Sequence, residues 1–238
     1  MIEITDFHSH ILPGIDDGSK TVEQSLELLR MEWSQGVRHV VATPHFYPQH
    51  DNPERFLARR DRAEAALREE MAKHSDLPTI SVGAEAYYFH GISDSNAVSK
   101  LTIGESRYLL LEMPQAPWTD AMYRELEGLY TKRGIIPVIA HMDRYIGRFR
   151  DHGIPARLAQ LPVLVQANGD FFLKRSTTGL ALRMLKKNGI HLLGSDCHNT
   201  SSRKPNLGGV TELIRKRLGE EAVAAIRSHE QRILQDRF

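Results

Sequence analysis

Histidines and acidic residues stand at the ends of short apolar segments along this chain. The first such segment ends in Asp6-Phe7-His8-Ser9-His10. Residues two apart in an extended chain point to the same side, so His8 and His10 can bind one cation together. An H-x-H pair is only moderately specific by itself, because two histidines can equally be hydrogen-bonded or solvated. The segments further along the chain decide between these interpretations.

The same pattern recurs downstream at intervals of 27 to 40 residues, each about the length of one strand and its following helix. A single acid at such a position is usually a helix N-cap or first-turn residue, and a single histidine is usually a surface residue. Because six successive intervals end this way, we interpret the series as a metal centre. The series runs through His10, His45, Glu85, Glu112, His141, Asn168 and Asp196.

Nine side chains are candidate metal ligands under this interpretation. A zinc ion takes about four ligands, so nine imply two or three divalent ions. Imidazole and carboxylate donors without a thiolate favour Mn, Zn or Fe. Closely spaced ions of this kind favour phosphoester hydrolysis, with amide or lactone hydrolysis as an alternative. The nine candidates are His8, His10, Asp17, His45, Glu85, Glu112, His141, Asp196 and His198.

Two arginines and one further aspartate stand beside these candidates. Arg144 follows His141 by three residues, and Arg203 follows His198 by five. A guanidinium can bind phosphate oxygens with two hydrogen bonds, whereas the alternative for either arginine is a surface ion pair. Asp143 is the candidate general acid, a role that a metal-coordinated water could also fill.

A repeating strand–helix unit must position these residues. Apolar and β-branched runs predict seven strands, and amphipathic helical stretches lie between most of them. This alternation predicts an α/β protein with a mostly parallel sheet, whose strands end at one rim. The predicted strands are Ile2–Phe7, His39–Ala42, Thr79–Val82, Tyr108–Leu111, Ile135–Ala140, Val163–Ala167 and His191–Leu193. The predicted helices are Val22–Trp33 (with a capping box at Thr21), Glu54–Lys73, Thr119–Lys132, Ile154–Gln160, Gly179–Asn188 and Thr211–Leu218.

Composition limits the class of protein further. The 238 residues carry 31 Lys and Arg against 30 Asp and Glu, a net charge of +1, which argues against a broad nucleic-acid-binding face. No apolar run approaches the ~20 residues that span a bilayer, and the N-terminus has no signal-peptide pattern. The chain has 12 histidines but a single cysteine. A single cysteine excludes an internal disulfide and fits a cytoplasmic protein. No linker divides the chain, so we expect one domain, residues 1–238.

The motifs together resemble those of the polymerase and histidinol phosphatase (PHP) superfamily. More narrowly, they resemble the bacterial manganese-dependent tyrosine phosphatases of capsular and extracellular polysaccharide synthesis. The resemblance covers essentially the whole chain. Its motifs are Asp6-Phe7-His8-Ser9-His10 with Asp16-Asp17-Gly18, then Thr43-Pro44-His45, Glu112-Met113-Pro114, His141-Met142-Asp143-Arg144-Tyr145 and Ser195-Asp196-Cys197-His198-Asn199.

This resemblance implies a distorted seven-stranded (β/α) barrel with a trinuclear site, Mn being the expected metal and Fe or Zn the alternatives. It implies the nine candidates as ligands and Arg144 and Arg203 as phosphate-binding residues. The implied substrate is the phosphotyrosine tail of a bacterial tyrosine kinase. One departure is that Ala84 and Tyr87 stand near Glu85 where the family usually shows Gln and Arg. The sequence predicts no oligomeric state.

Three alternatives stay open at this point. The first is a small-molecule phosphomonoesterase of the same superfamily, acting on a compound such as histidinol phosphate. The second is a metal-bearing module that binds a kinase tail without catalysis. The third is a cysteine-dependent phosphatase, because Cys197 to Arg203 fits C-x5-R. That loop lacks the internal glycines expected of a phosphate-binding loop, so we favour Asp196 and His198 as a metal pair and Cys197 as a bystander.

Overall fold

Short strands alternate with helices along the chain. The computed structural model describes residues 4–146 and 153–238. The strands are β1 (Ile4–Ser9), β2 (Val37–Ala42), β3 (His45–Phe46), β4 (Thr79–Val82), β5 (Glu85–Tyr87), β6 (Tyr108–Glu112), β7 (Ile136–Ile139), β8 (Leu164–Asn168) and β9 (Leu192–Gly194). The helices are α1 (Val22–Ser34), α2 (Pro53–Met71), α3 (Asp120–Arg133), α4 (Ile154–Leu158), α5 (Gly169–Leu173), α6 (Thr178–Lys186), α7 (Leu207–Leu218) and α8 (Glu220–Gln235).

Every pair of neighbouring strands is parallel, which confirms the predicted α/β architecture. The strands form a three-stranded sheet of order β1-β2-β4 and a six-stranded sheet of order β3-β5-β6-β7-β8-β9. Two residues separate β2 from β3, and two separate β4 from β5. An isolated parallel bridge joins Ser9 to Cys197, beyond the end of β9. This pairing does not confirm one seven-stranded barrel.

Side chains from five strands pack against each other in the interior. Phe7, Val41, Leu110, Val138 and Leu192 belong to one buried cluster and come from β1, β2, β6, β7 and β9. Strands of a flat sheet as far apart as these would not bring their side chains together. The parallel strands therefore curl around a shared apolar interior, which leaves their carboxyl ends to converge.

Local sequence signals explain where the main helices begin. The side chain of Thr21 accepts a hydrogen bond from the N–H of Gln24, as the capping box predicts. Asn52 caps α2 by accepting from the N–H groups of Glu54 and Arg55, with Pro53 at the first helical position. The cap of α1 follows the loop that carries Asp17, and the cap of α2 follows β3, which begins at the candidate ligand His45.

The predicted helices differ from the observed ones in the C-terminal part of the chain. The prediction lacked α8, whose buried stripe of Val223, Ile226 and Ile233 is interrupted by the buried acid Glu230. It also began the preceding helix at Thr211, whereas α7 begins four residues earlier and includes Gly208. A Cβ at Gly208 would lie 2.9 Å from the Cβ of Gln35, so close packing against that residue explains a helix-breaking residue there.

The predicted start of the first strand, Ile2, lies outside the described residues 4–146 and 153–238. Within those ranges, no helix is both long and apolar enough to cross a lipid bilayer.

Candidate metal centre

The nine candidate ligands converge at the carboxyl ends of the strands. They come from both sheets and from the loop between β1 and α1, which carries Asp17. His45 begins β3 and pairs in register with Glu85, which begins β5. Glu112 ends β6, and the remaining candidates lie at or just beyond β1, β7 and β9. The curled sheet thus brings residues separated by up to 190 positions, His8 to His198, to one place.

Glu85 is the centre of this arrangement. Its Oε2 lies 3.1 Å from Nε2 of His8, 3.3 Å from Nε2 of His10 and 3.0 Å from Nδ1 of His45. Its Oε1 lies 2.7 Å from Nε2 of His141. Although burial opposes ionisation, these imidazoles lower the pKa of Glu85 well below its ordinary value. One carboxylate therefore faces four imidazole rings.

A second set of ligand atoms surrounds Asp17. Its Oδ1 lies 3.5 Å from Nε2 of His45 and 3.4 Å from Nε2 of His198. Three groups, each with ligand atoms within 4.8 Å of one another, can be drawn from these residues: His10 with Asp17, His45 and His198; His8 with His10 and Glu85; and His45 with Glu85 and Glu112. Since His10, His45 and Glu85 each belong to two groups, the groups share ligands, as closely spaced ions require.

The donor set fits divalent cations. Oε2 of Glu85 and Nε2 of His198 are buried, and none of the polar atoms close to them in the described part of the chain has the geometry of a hydrogen bond. Burial and the neighbouring Glu85 raise the pKa of Glu112, because two carboxylates approach each other there. Acceptor atoms that are buried, unpaired and close to like charges are stabilised by a bound cation. Imidazole and carboxylate donors suit Mn, Fe or Zn rather than a soft metal.

Two of the candidate ligands have a strained backbone. His141 has φ of 33° and Asp196 has φ of 53°, in the left-handed region that non-glycine residues rarely adopt. Each follows a strand by two residues, so the chain turns sharply there. Strain of this kind persists where the surrounding structure holds it, and it is typical of functional sites.

Asp16 orients the His10 ring through a hydrogen bond to the ring nitrogen that faces away from Glu85. Oδ2 of Asp16 lies 2.8 Å from Nδ1 of His10, so Nε2 of the ring is directed at Glu85 and Asp196. Oδ1 of Asp16 accepts the N–H of Gly18 at 2.9 Å. A Cβ at Gly18 would lie 2.2 Å from the carbonyl oxygen of His10, so only glycine allows this loop to fold over the ring.

Asp16 and three other residues hold ligands in place, a role that the sequence did not predict for them. Oε1 of Gln166 lies 3.3 Å from Nδ1 of His8 and accepts the N–H of His141 at 2.6 Å. Asn168 donates to Oδ2 of Asp196 at 2.9 Å. Asp6 accepts the N–H groups of His8 and Ser195 and so joins β1 to the end of β9. A buried glutamine in an apolar strand was the available signal for Gln166.

The two arginines lie between the metal centre and a cavity of about 510 Å³. Arg144 contacts the carboxylate of Asp196, and its Nη1 lies 3.5 Å from Oε1 of Glu112. Nη2 of Arg203 lies 2.8 Å from Oδ1 of Asp196. Asp143 lines the same cavity, and its Oδ1 accepts the N–H of Asn168 at 3.2 Å. Both guanidinium groups are partly exposed and can reach a bound anion.

The sequence matches a known family. The family described as capsular polysaccharide synthesis, CpsB/CapC, matches residues 4–235. The chain belongs to this family. It is similar to the tyrosine-protein phosphatase CpsB of Streptococcus pneumoniae, with 31% identity over 229 residues covering 90% of each chain. It is also similar to the tyrosine-protein phosphatase YwqE of Bacillus subtilis, with 27% identity over 227 residues covering 91% of this chain and 85% of that one.

A solved structure has the same fold as this chain. It comes from a crystallographic study of YwqE from Bacillus subtilis and CpsB from Streptococcus pneumoniae, which are described there as metal-dependent tyrosine phosphatases. The TM-score is 0.87 at 24% sequence identity, and the match covers 99% of this chain and 96% of that one. The family match confirms the resemblance inferred from the motifs, and this likeness shows that the fold is shared.

The structure argues against a nucleophilic cysteine. Cys197 is fully buried in the apolar core, and its Sγ lies 4.0 Å from Oε1 of Glu32. Burial raises the pKa of this thiol well above its ordinary value, and the nearby carboxylates of Glu32 and Asp6 raise it further. A buried neutral thiol is a poor nucleophile, so the C-x5-R match has no catalytic counterpart here.

Histidines outside the candidate set have other environments. His50 lines a cavity of about 460 Å³ together with Asp17 and His45. His90 is 91% exposed, beside Glu125. His39 and His191 contact neighbouring strands through their ring nitrogens.

Proposed function

We propose that this protein hydrolyses phosphotyrosine, using two or three divalent metal ions, with Mn as the proposed metal, held by the nine His, Asp and Glu residues. The observation that carries the proposal is the Glu85 carboxylate facing four imidazoles beside two partly exposed arginines. Relatives named tyrosine-protein phosphatases support the same chemistry. The proposed physiological substrate is the phosphotyrosine tail of a bacterial tyrosine kinase in the cytoplasm.

The metals would supply electrostatic stabilisation and a water of lowered pKa at the rim of the sheet. Arg144 and Arg203 would exchange their contacts with Asp196 for the phosphoryl oxygens, each with parallel hydrogen bonds. Asp143, in the same cavity, would donate a proton to the departing oxygen. This proton matters less for tyrosine than for an alkyl alcohol, because the phenol pKa is about 10.

The proposal includes one catalytic domain over residues 1–238, built as a distorted barrel of seven strands. Support comes from the two-residue interruptions that divide β2 from β3 and β4 from β5. If each pair is one strand, the nine strands become seven. The Ser9–Cys197 bridge lies where such a barrel would close.

A substrate panel tests the function. We expect metal-loaded protein to hydrolyse a phosphotyrosine peptide and 4-nitrophenyl phosphate, to lose this activity in EDTA, and to regain it with Mn²⁺. Faster turnover of histidinol phosphate than of the peptide would favour a small-molecule phosphatase. Binding of the peptide without turnover of any substrate would favour a non-catalytic module.

Two ligand variants make the panel specific to this site. His141→Ala and Asp196→Ala should lose both bound metal and turnover, because each removes a donor that is buried in the cluster. His90→Ala, a change at a 91% exposed ring, is the matched control and should keep both. Full activity in either ligand variant would contradict the assignment.

A further inference from the structure

Two tyrosines lie beside the metal centre and belong to none of the groups above. Tyr47 follows His45 by two residues, and Tyr87 follows Glu85 by two. His45 and Glu85 pair in register on the adjacent strands β3 and β5. Tyr87 and Glu85 are two apart on β5, so their side chains point to the same side of the sheet. Tyr47 lies one residue beyond β3, and its ring stacks on that of the candidate ligand His45.

The rings form one aromatic surface. Their centroids are 5.7 Å apart, within the range of aromatic contacts. The Tyr47 ring stacks on the ring of His45 at 5.0 Å, and its hydroxyl oxygen lies 3.2 Å from Nδ1 of that histidine. Both tyrosines are partly exposed, whereas Tyr88 and Tyr145 are buried in the core. The two rings therefore offer apolar area to a ligand.

This surface lies beside two acids that contact the arginines proposed to bind the phosphoryl group. Tyr87 is paired in register with Glu112, whose Oε1 lies 3.5 Å from Nη1 of Arg144. Tyr47 lines the cavity of about 460 Å³ that also contains Asp17, and Nη1 of Arg203 lies 3.8 Å from Oδ2 of Asp17. If the arginines hold the phosphate of an aryl phosphate, the aryl ring attached to it can therefore contact the aromatic surface.

We propose that Tyr47 and Tyr87 bind the aromatic ring of the substrate and set the preference for aryl over alkyl phosphates. This inference rests on the proposed function. A phenyl ring placed against this pair gains offset or edge-to-face contacts that an alkyl chain cannot make. The contact between the hydroxyl of Tyr47 and Nδ1 of His45 fixes the orientation of the Tyr47 ring, so the aromatic surface is formed before a ligand binds.

Binding of two phosphonates to the metal-loaded protein tests this preference without turnover. Phenylphosphonate and methylphosphonate share the anionic group and differ in the ring, so the ratio of their affinities by calorimetry reports the ring alone. We expect Tyr47→Leu and Tyr87→Leu each to lower this ratio about three- to tenfold. Tyr47→Phe keeps the ring and should keep the ratio, even if loss of the contact with His45 changes metal affinity.

A tyrosine elsewhere provides the matched control. Tyr130 on α3 is 45% exposed, and Tyr130→Leu should leave the ratio unchanged. Metal content of every variant is measured, so that loss of metal is separated from loss of the ring contact. A ratio that stays at the wild-type value in both leucine variants at full metal content would overturn the inference.

The two proposals fail in different ways. If the wild-type protein binds phenylphosphonate preferentially but hydrolyses no phosphotyrosine, the proposed catalysis is wrong and the aromatic subsite stands. If it hydrolyses phosphotyrosine with the same kcat/KM as phosphoserine, catalysis stands and the aromatic subsite is wrong.

Discussion

Nδ1 of His10 and Oδ2 of Asp16 are 2.8 Å apart, and this contact determines which ring nitrogen of His10 faces the metal centre. The same oxygen accepts the N–H of His45 at 3.0 Å, so one carboxylate orients a ligand ring and the backbone of a second ligand. Although burial opposes it, the contact with His10 lowers the pKa of Asp16. Asp16 is thus a positioning residue, next in sequence to the candidate ligand Asp17.

Asp16→Asn should weaken metal binding while leaving all nine candidate ligands in place. The amide carries no charge and holds the protonated Nδ1 of His10 less firmly, so we expect a ten- to hundredfold loss of Mn²⁺ affinity. Titration of the metal-free protein with Mn²⁺ measures this loss. Asp76→Asn, at a 58% exposed surface acid, is the control. Equal affinities for the two variants would show that Asp16 does not act through His10.

The sequence predicted the positions of the candidate ligands better than their support. His45, Glu85 and Glu112 could be found because each ends or begins a strand, and parallel strands necessarily share a rim. Asp16 and Gln166 could not be assigned, because their roles depend on contacts with His10 and His141 that only the folded chain forms. Spacing along one strand predicts which side chains point to the same side of the sheet. It does not predict which residues from other parts of the chain hydrogen-bond to those side chains.

The fold was predicted at the level of its repeating unit. Alternating apolar strands and helices indicated parallel pairing, which the structure confirms. The last helix, α8, was missed because Glu230 occupies a buried position of its apolar stripe. A charged residue at a core position conceals an amphipathic helix from any argument based on periodicity.

Arg144→Lys and Arg203→Lys should lower kcat/KM for a phosphotyrosine peptide while metal content stays at the wild-type value. Lysine keeps the charge but cannot make two parallel hydrogen bonds to a phosphoryl group, so we expect a loss on the order of 10²-fold for each. Steady-state kinetics with measured metal content gives the comparison. Arg30→Lys, at a 43% exposed ion pair with Asp76, should change neither quantity. Normal kinetics in both site variants would assign these arginines a structural role.

Cys197→Ala should retain activity. The thiol is fully buried with a raised pKa, so the native protein should also resist alkylation by iodoacetamide. We expect kcat/KM within about twofold of the wild type and a loss of about 1 kcal/mol in the free energy of unfolding from the small space left in the core. Kinetics in Mn²⁺ and mass spectrometry after alkylation provide the measurements. A hundredfold loss of activity at full metal content would instead assign chemistry to this cysteine.

Glu230→Gln should remove a pH dependence from the stability of the protein. Burial raises the pKa of Glu230 from 4.5 to about 7, against an opposing hydrogen bond with Thr5. Between these pH values the folded protein keeps a proton that the unfolded chain has lost, so the free energy of unfolding falls as pH rises through this window. The full shift corresponds to about 3 kcal/mol, an upper limit for one buried group.

The glutamine variant stays neutral at all pH values. It should therefore match the wild type at pH 4.5 and exceed its free energy of unfolding by about 1–3 kcal/mol at pH 8. Urea unfolding in EDTA at several pH values measures this difference without contributions from bound metal. Glu221→Gln, an exposed acid on the same helix, is the control and should follow the wild-type curve. Parallel curves for Glu230→Gln and the wild type would mean that Glu230 is ionised in the folded protein, and that α8 packs against β1 with a buried charge.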